Sequence, residues 1–184
     1  APHQTPYLRI ATARAGNVIG GGDWAADRIV PDAIRALAAD QPIGVRNPLA
    51  TRPWQHVLEP LGGYLRLAEA LALQPDPPCE PFNFGPPLAS NRPVQELVST
   101  MLSHWSGSWL DQSDPAAPHE ASLLHLQIDK AHHRLGWQPR WDFASTVHRT
   151  VEWYLQHHRG NLALQCCLAD LEAYQAINDS FSPS

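Results

Sequence analysis

The chain has few cysteines, no long apolar run and no excess of positive charge, and each absence excludes a class of protein. Its three cysteines, Cys79, Cys166 and Cys167, form no Cys-x-x-Cys pair and no even disulfide framework. We therefore expect reduced thiols and a cytoplasmic protein. No apolar run approaches the ~20 residues of a membrane-spanning helix. A net charge of −5 over 184 residues argues against a nucleic-acid or anionic-membrane partner.

Two kinds of site motif are also missing. The segment Gly16–Gly22 follows a strand-like run, but its glycines do not give the spacing G-x-G-x-x-G of a dinucleotide phosphate loop. The ten histidines include no H-E-x-x-H and no Cys/His cluster, so we predict no metal site. Cys166 and Cys167 lie in a segment rich in Leu and Ala. This favours thiols that pack as small apolar groups and do not act as a catalytic nucleophile.

What is present indicates a single packed domain. Hydrophobic residues make up 43% of the chain, and the eighteen prolines fall mostly between periodic segments. Hydrophobic spacing predicts strands at 7–13, 43–45, 81–85 and 109–111, a loop at 16–23, and helices from residue 27 and at 61–73, 93–104, 128–136, 143–158 and 162–177. The fold class is therefore α/β, and the few short strands indicate part of a larger fold.

Two helices have specific features. The apolar face predicted for the helix at 61–73 contains Leu61, Tyr64, Leu65, Ala68, Leu71 and Ala72. Asn91 is the predicted cap of the helix at 93–104. Gly136 suits the end of the helix at 128–136.

Five segments, in the same order, resemble the C-terminal part of extended short-chain dehydrogenases, the family of nucleotide-sugar dehydratases and epimerases. They are RAGNVIGGGDW at 14–24, IVPDAIRAL at 29–37, RPWQHVLEPLGGYLRLAEAL at 52–71, PFNFGP at 81–86 and HEASLLHLQIDKAHHRLGWQPRW at 119–141. The resemblance covers about residues 8–158. The words GGGDW, RPWQHVLEP and HEA are similar to those of members that act on CDP-glucose.

The resemblance implies a fold and a domain organisation. The chain would contain the last Rossmann strands and the small mixed α/β substrate-binding domain, with residues 1–160 as the substrate-binding portion and 161–184 as a helical extension and tail. The half that binds most of the cofactor would precede it. We therefore expect a fragment, a split gene product or a truncated remnant.

The resemblance also implies a reaction, the lyase step of deoxysugar and O-antigen biosynthesis. NAD would take a hydride from sugar C4, water would leave across C5–C6, and the hydride would return at C6. The family uses a tyrosine base in Tyr-x-x-x-Lys, with the lysine lowering the tyrosine pKa. Here the residues four positions after the four tyrosines are Ala11, Ala68, His158 and Asn178. We therefore expect no catalytic residue in this chain and no activity from it alone.

Carried over residue by residue, the resemblance implies a set of binding residues. Asn17 would offer its amide to the substrate and, with Val18, border the cofactor. Arg28 and Arg52 would clamp the pyrophosphate with planar guanidinium groups. Asn83 and His119 would be further substrate contacts.

Structural alternatives exist for several of these residues. Arg28 is also typical of a solvated first-turn residue, and Asn83 of a turn. Trp54, Trp137 and Trp141 could stack on a base or sugar, but we favour packing for all three.

Two other functions fit the same words: the corresponding half of an epimerase or decarboxylase, and a non-catalytic nucleotide-binding or assembly module. The strand at 7–13 would have an exposed edge if the rest of a parallel sheet is missing. We therefore expect self-association, or a homodimer, through that edge.

Overall fold

Helices alternate with short strands in the computed structural model, which describes residues 8–114 and 125–179. The strands are β1 (Thr12–Ala15), β2 (Asn17–Ile19), β3 (Ile43–Val45), β4 (Thr51–His56), β5 (Pro81–Phe84), β6 (Asn91–Pro93) and β7 (Trp109–Asp111). The helices are α1 (Ile29–Ala38), α2 (Leu58–Leu73), α3 (Val94–His104), α4 (Asp129–Leu135), α5 (Phe143–His158) and α6 (Ala163–Asp179). A 3-10 turn spans Leu88–Ser90. The predicted α/β class is confirmed.

The strands form three small sheets. β1 and β5 are parallel, β2 and β4 are parallel with β6 antiparallel on the other side of β4, and β3 and β7 are parallel. Parallel pairs need long crossovers, which the helices supply. Two neighbouring parallel pairs therefore begin at the segment 12–19, because β1 and β2 are separated by Gly16 alone.

The buried residues form two separate clusters. The larger contains side chains of α1, α3 and α5 together with strand residues such as Val45 and Trp54. The smaller contains Leu67, Phe82, Phe84, Ala131 and Trp137. The first cluster lies under β4, and the second lies between α2, α4 and β5.

Helix ends follow the predicted chemistry where local signals exist. α5 has the predicted bounds, and the Asp142 carboxylate accepts from the Ser145 N–H at 2.8 Å as a helix cap. α4 ends at Gly136 with φ +60°, the left-handed conformation that favours glycine. At α3, however, the predicted cap Asn91 lies in β6. The N-cap position of α3 is Pro93, which makes no side-chain cap bond.

Two predictions in the N-terminal segment are wrong. The strand predicted at 7–13 is β1, Thr12–Ala15, because the chain pairs with β5 only there; residue 7 lies outside the described residues. The loop predicted at 16–23 contains β2, because Asn17–Ile19 aligns with Trp54–His56 of β4. A three-residue strand is set by its partner, so its own sequence gave little signal.

The apolar face predicted for α2 is also wrong in part. The buried residues of α2 are Glu59, Pro60, Gly63, Leu67 and Ala70. Leu61 is 46% and Leu65 73% exposed. α2 is apolar on two sides, and periodicity alone cannot tell which side packs on the sheet.

Candidate functional site

A cavity of about 1130 Å³ lies where β2, β4 and the start of α1 meet. Its wall includes Asn17, Val18, Arg28, Arg46, Arg52 and Trp54, and we call it the main cavity. Four of the predicted binding residues therefore lie on one surface. Three arginines of the wall can bind an anionic ligand, but the aspartates Asp23, Asp27, Asp32 and Asp114 line the same cavity, so such a ligand has to replace carboxylates.

Asn17 and Val18 reach the main cavity because β2 pairs with β4. Asn17 is opposite Trp54 and Val18 opposite Gln55 in the parallel register. Asn17 is half-buried and Val18 is partly exposed. An asparagine amide can donate and accept at once, so Asn17 gives the wall a group that can bind either kind of polar atom.

Arg28 lies just before α1 and forms an ion pair with Asp23. Its Nη1 is 3.0 Å from Asp23 Oδ2, and its side chain is 67% exposed. Burial opposes ionisation of Asp23, but the Ala25 N–H and the Arg28 guanidinium together hold the pKa of that carboxyl below its usual value. An anionic ligand would therefore compete with Asp23 for Arg28.

Arg46 is a wall residue that sequence reasoning missed. Its Nη2 is 3.1 Å from Asp27 Oδ1, and Asp27 has φ +63°. An arginine after a three-residue strand carries no motif, so no sequence signal marked it. The chain thus places two Arg–Asp pairs on the same cavity.

Arg52 is half-buried near the start of β4. Its Nη1 donates to the Thr51 carbonyl at 2.9 Å, and it is opposite Arg92 in the antiparallel register with β6. Arg92 pairs with Glu96 at 3.4 Å. Arg52 is therefore held on a strand, which is a rigid support.

The three glycines of GGGDW have a packing explanation. A Cβ on Gly20 would lie 2.8 Å from Val57, and a Cβ on Gly21 would lie 2.0 Å from the Trp153 indole. Gly22 has φ +84°. The loop therefore lies against β4 and α5, and these glycines do not form a cradle for phosphate.

Asn83 does not join this group. Asn83 lies on β5 outside the main cavity, and its Nδ2 donates to the Gln127 carbonyl at 3.2 Å. That bond ties β5 to the segment before α4 and gives Asn83 a structural role, although Asn83 lies on a strand and not in the turn that we considered. His119 lies outside the described residues.

The three tryptophans are packed, as we favoured. Trp54, Trp137 and Trp141 are 3%, 5% and 6% exposed. Trp54 also touches the main cavity while its Nε1 donates to the Arg92 carbonyl at 2.9 Å. Trp54 thus packs in the core and closes one side of the site.

Within residues 8–114 and 125–179, no group of three His, Cys, Asp or Glu side chains could hold a metal ion. All three cysteines are free thiols. None of the helices in the described part of the chain has the length and apolar character needed to cross a bilayer.

Nearly the whole chain aligns with one curated relative. It is CDP-glucose 4,6-dehydratase from Salmonella typhimurium, 42% identical over 178 residues, which are 96% of this chain and 49% of the relative. This chain is a relative of that dehydratase. It spans about half the relative's length. No family model matches the chain.

Solved structures show the fold. UDP-glucuronic acid 4-epimerase from Bacillus cereus, in complex with UDP-4-deoxy-4-fluoro-glucuronic acid and NAD, matches with TM-score 0.69 and 16% identity, over 82% of this chain and 46% of that one. dTDP-glucose 4,6-dehydratase from Bacillus anthracis, in complex with NAD, matches with TM-score 0.63 and 15% identity, over 82% and 46%. The chain has the fold of a C-terminal part of an extended short-chain dehydrogenase.

Proposed function

We propose that this chain is the substrate-binding part of an NAD-dependent nucleotide-sugar 4,6-dehydratase and that its substrate is CDP-glucose. The observation that carries the proposal is the main cavity, where Asn17, Arg28 and Arg52 share one wall. The 42% identical relative, a CDP-glucose 4,6-dehydratase, supports the reaction and the base. The same proposal places the protein in the cytoplasm, which its three free thiols support.

The role proposed for each residue follows from its chemistry. Arg52, and Arg28 after release from Asp23, would hold the pyrophosphate, because a guanidinium makes two parallel bonds to phosphate oxygens. Asn17 would orient the sugar with its amide, on the rigid pair β2–β4. Asn83 and His119 remain weaker proposals as substrate contacts.

NAD, which would supply hydride acceptance and return, fits only a small part of the described residues. Asn17 and Val18 could border it, as predicted. The triglycine loop does not fit the dinucleotide pyrophosphate, because Val57 and Trp153 fill the space beside Gly20 and Gly21. We therefore propose that the missing half supplies most of the NAD site.

Two of the described tyrosines, Tyr154 and Tyr174, are poorly suited to act as a base. The Tyr154 hydroxyl donates to the Asp23 carbonyl at 2.7 Å, and burial raises the pKa of Tyr154 to about 12. The Tyr174 hydroxyl donates to Glu59 at 2.8 Å, and burial raises its pKa too. A catalytic tyrosine must lose its proton near neutral pH. We therefore propose that this chain binds substrate and that residues outside it perform the acid–base chemistry.

The sheet edge bears on assembly. Among the described residues β1 pairs with β5 alone, and the preceding Leu8 and Ile10 are 84% and 61% exposed. We propose that this edge pairs either with the cofactor-binding half or with a second copy. Size-exclusion chromatography that shows a stable, cooperatively melting monomer would contradict this.

The alternatives are an epimerase or decarboxylase half and a non-catalytic binding module. Fold likeness does not separate them, since an epimerase and a dehydratase match with similar TM-scores. The CDP-glucose relative favours the dehydratase.

Calorimetry with CDP, UDP and dTDP tests the proposal. We expect CDP to bind most tightly and Arg52→Gln to weaken it about tenfold or more, since a charged hydrogen bond contributes ~1.5–3 kcal/mol. Arg66→Gln is the matched control, because Arg66 pairs with Glu69 on the solvent side of α2, outside the main cavity. A folded chain that binds no nucleotide would overturn the proposal. Adding the missing half with NAD and CDP-glucose would then test dehydration directly.

A further inference from the structure

The segment RPWQHVLEP serves two different surfaces. Arg52, Trp54 and His56 are alternate residues of β4, so their side chains leave the strand on the same face. Arg52 and Trp54 line the main cavity. His56 is 1% exposed, and its ring meets the Trp141 ring edge-on at 4.7 Å. One strand thus links the cavity wall to a buried polar region.

Glu59, in the first turn of α2, is the centre of that region. It is fully buried, and its carboxylate accepts from the Arg140 N–H at 3.0 Å, the Trp141 N–H at 2.7 Å and the Tyr174 hydroxyl at 2.8 Å. Burial raises the pKa of Glu59, and these donors oppose that rise. A buried carboxylate with three donors joins three chain segments at one point.

His56 continues the polar region toward α6. The Leu58 N–H donates to its Nδ1 at 3.3 Å, which places the ring proton on Nε2. That Nε2 is 3.7 Å from Asp170 Oδ2. Arg140 also donates to the Tyr174 carbonyl at 3.1 Å. We call His56, Glu59, Arg140, Asp170 and Tyr174 the polar cluster.

α6 has two polar residues on its buried side and three leucines that are largely exposed. Asp170 and Tyr174 face inward at 8% exposure each, whereas Leu164, Leu168 and Leu171 are 40–68% exposed. Apolar burial is not directional, but hydrogen bonds are. The bonds of Tyr174 to Glu59 and Arg140 therefore fix where α6 lies against α2 more precisely than leucine packing would, and Asp170 lies 3.7 Å from His56 at the end of β4, an electrostatic contact without a hydrogen bond.

We infer that α6 is a positioning element for the nucleotide site: through the polar cluster it fixes the end of β4 and so the placement of Arg52 and Trp54 on the cavity wall. The inference rests on the proposed function for its effect on binding. It also joins the segment 161–184, expected above as an extension, to the substrate-binding portion.

Tyr174→Phe tests this in the full chain, because it removes one donor to buried Glu59 and keeps the ring. We expect CDP affinity to fall about tenfold, because a buried carboxylate that holds three chain segments together loses its only donor from α6. We also expect amide hydrogen exchange in this variant to be faster than in the wild type at residues 52–56 and unchanged at residues 97–101 of α3. Leu171→Ala, which changes an exposed residue of the same helix, is the first control.

Met101→Ala separates positioning from general stability. Met101 is buried in α3, so this change lowers the melting temperature without touching the polar cluster. We expect it to keep wild-type CDP affinity. If Tyr174→Phe binds CDP and exchanges at 52–56 as the wild type does, or if Met101→Ala weakens CDP equally, the inference is wrong.

Failure of the proposed function gives a different result. If the wild-type chain binds no CDP, the nucleotide proposal fails, but the exchange rates at 52–56 still show whether α6 fixes β4. If exchange is unchanged in Tyr174→Phe, the positioning role fails whatever the chain binds.

Discussion

Gly21 lies directly against the indole of Trp153, so close that a Cβ on Gly21 would be 2.0 Å from two ring atoms. Trp153 is 5% exposed on α5 and cannot move away easily. Gly21→Ala therefore forces the loop off α5. We expect a loss of about 1–3 kcal/mol in the free energy of unfolding, the usual cost of overpacking. Urea denaturation measures it, and an unchanged midpoint would show that the loop yields freely.

Alanine substitutions at two adjacent glycines of α2 should change the free energy of unfolding in opposite directions. A Cβ on Gly62 meets Tyr174 at an ordinary 3.4 Å, whereas a Cβ on Gly63 would be 2.2 Å from the Phe84 ring. We expect Gly62→Ala to stabilise the chain by up to ~1 kcal/mol through helix propensity. Gly63→Ala should destabilise it by about 1–3 kcal/mol. Equal melting temperatures for the two variants would contradict the packing described for α2.

The buried pair His56 and Asp170 predicts opposing pH effects. Burial, with Arg149 nearby, lowers the pKa of His56 to about 4, and burial raises the pKa of Asp170 to about 6. The unfolded state then binds more protons at His56 between pH 4 and 6.5, so this stability is lost as pH falls. At Asp170 the folded state binds more protons, so stability is lost as pH rises from about 4 to 6.

Single variants separate the two contributions. In Asp170→Asn, unfolding free energy should fall relative to wild type as pH decreases from 6.5 to 4, by about 3 kcal/mol, because the variant lacks the contribution of the raised Asp170 pKa. In His56→Gln it should rise over the same interval. Glu59 is common to all three proteins, so its contribution cancels. Parallel stability curves for the two variants would contradict these shifts.

Asp23 competes with any anionic ligand for Arg28, to which it is bound at 3.0 Å. Asp23→Asn keeps an acceptor for the Ala25 N–H but removes the charge. We expect CDP to bind several-fold more tightly, because phosphate no longer displaces a carboxylate. Glu69→Gln, which removes one charge on α2, should leave binding unchanged. Weaker binding in Asp23→Asn would instead indicate that the pair orients Arg28.

Local signals allowed much of the fold to be predicted. The amphipathic pattern of α5 and the left-handed Gly136 depend on nearby residues, and the structure confirms them. β2 and the packed side of α2 depend on distant partners, and those predictions failed. Periodicity shows that a face is apolar, but contact with the sheet decides whether it is buried.

The candidate site divides in the same way. The family resemblance predicts Asn17, Val18, Arg28 and Arg52 as binding residues. The folded chain places all four on one cavity although they are far apart in sequence. Arg46 and Glu59 carried no signal, because nothing in a single arginine or glutamate shows that its partner lies many residues away. These pairs become visible only when the chain is folded.

The two buried clusters differ greatly in size, and this gives the molecule two local stabilities. The smaller one, around Phe82, Phe84 and Trp137, has little apolar area to oppose opening. A protease should therefore cut first near β5 and leave the fragment built on α3 and α5 intact. A partner that covered β1 would close this weak point, so binding would appear as protection from proteolysis at β5, a strand that does not line the nucleotide cavity.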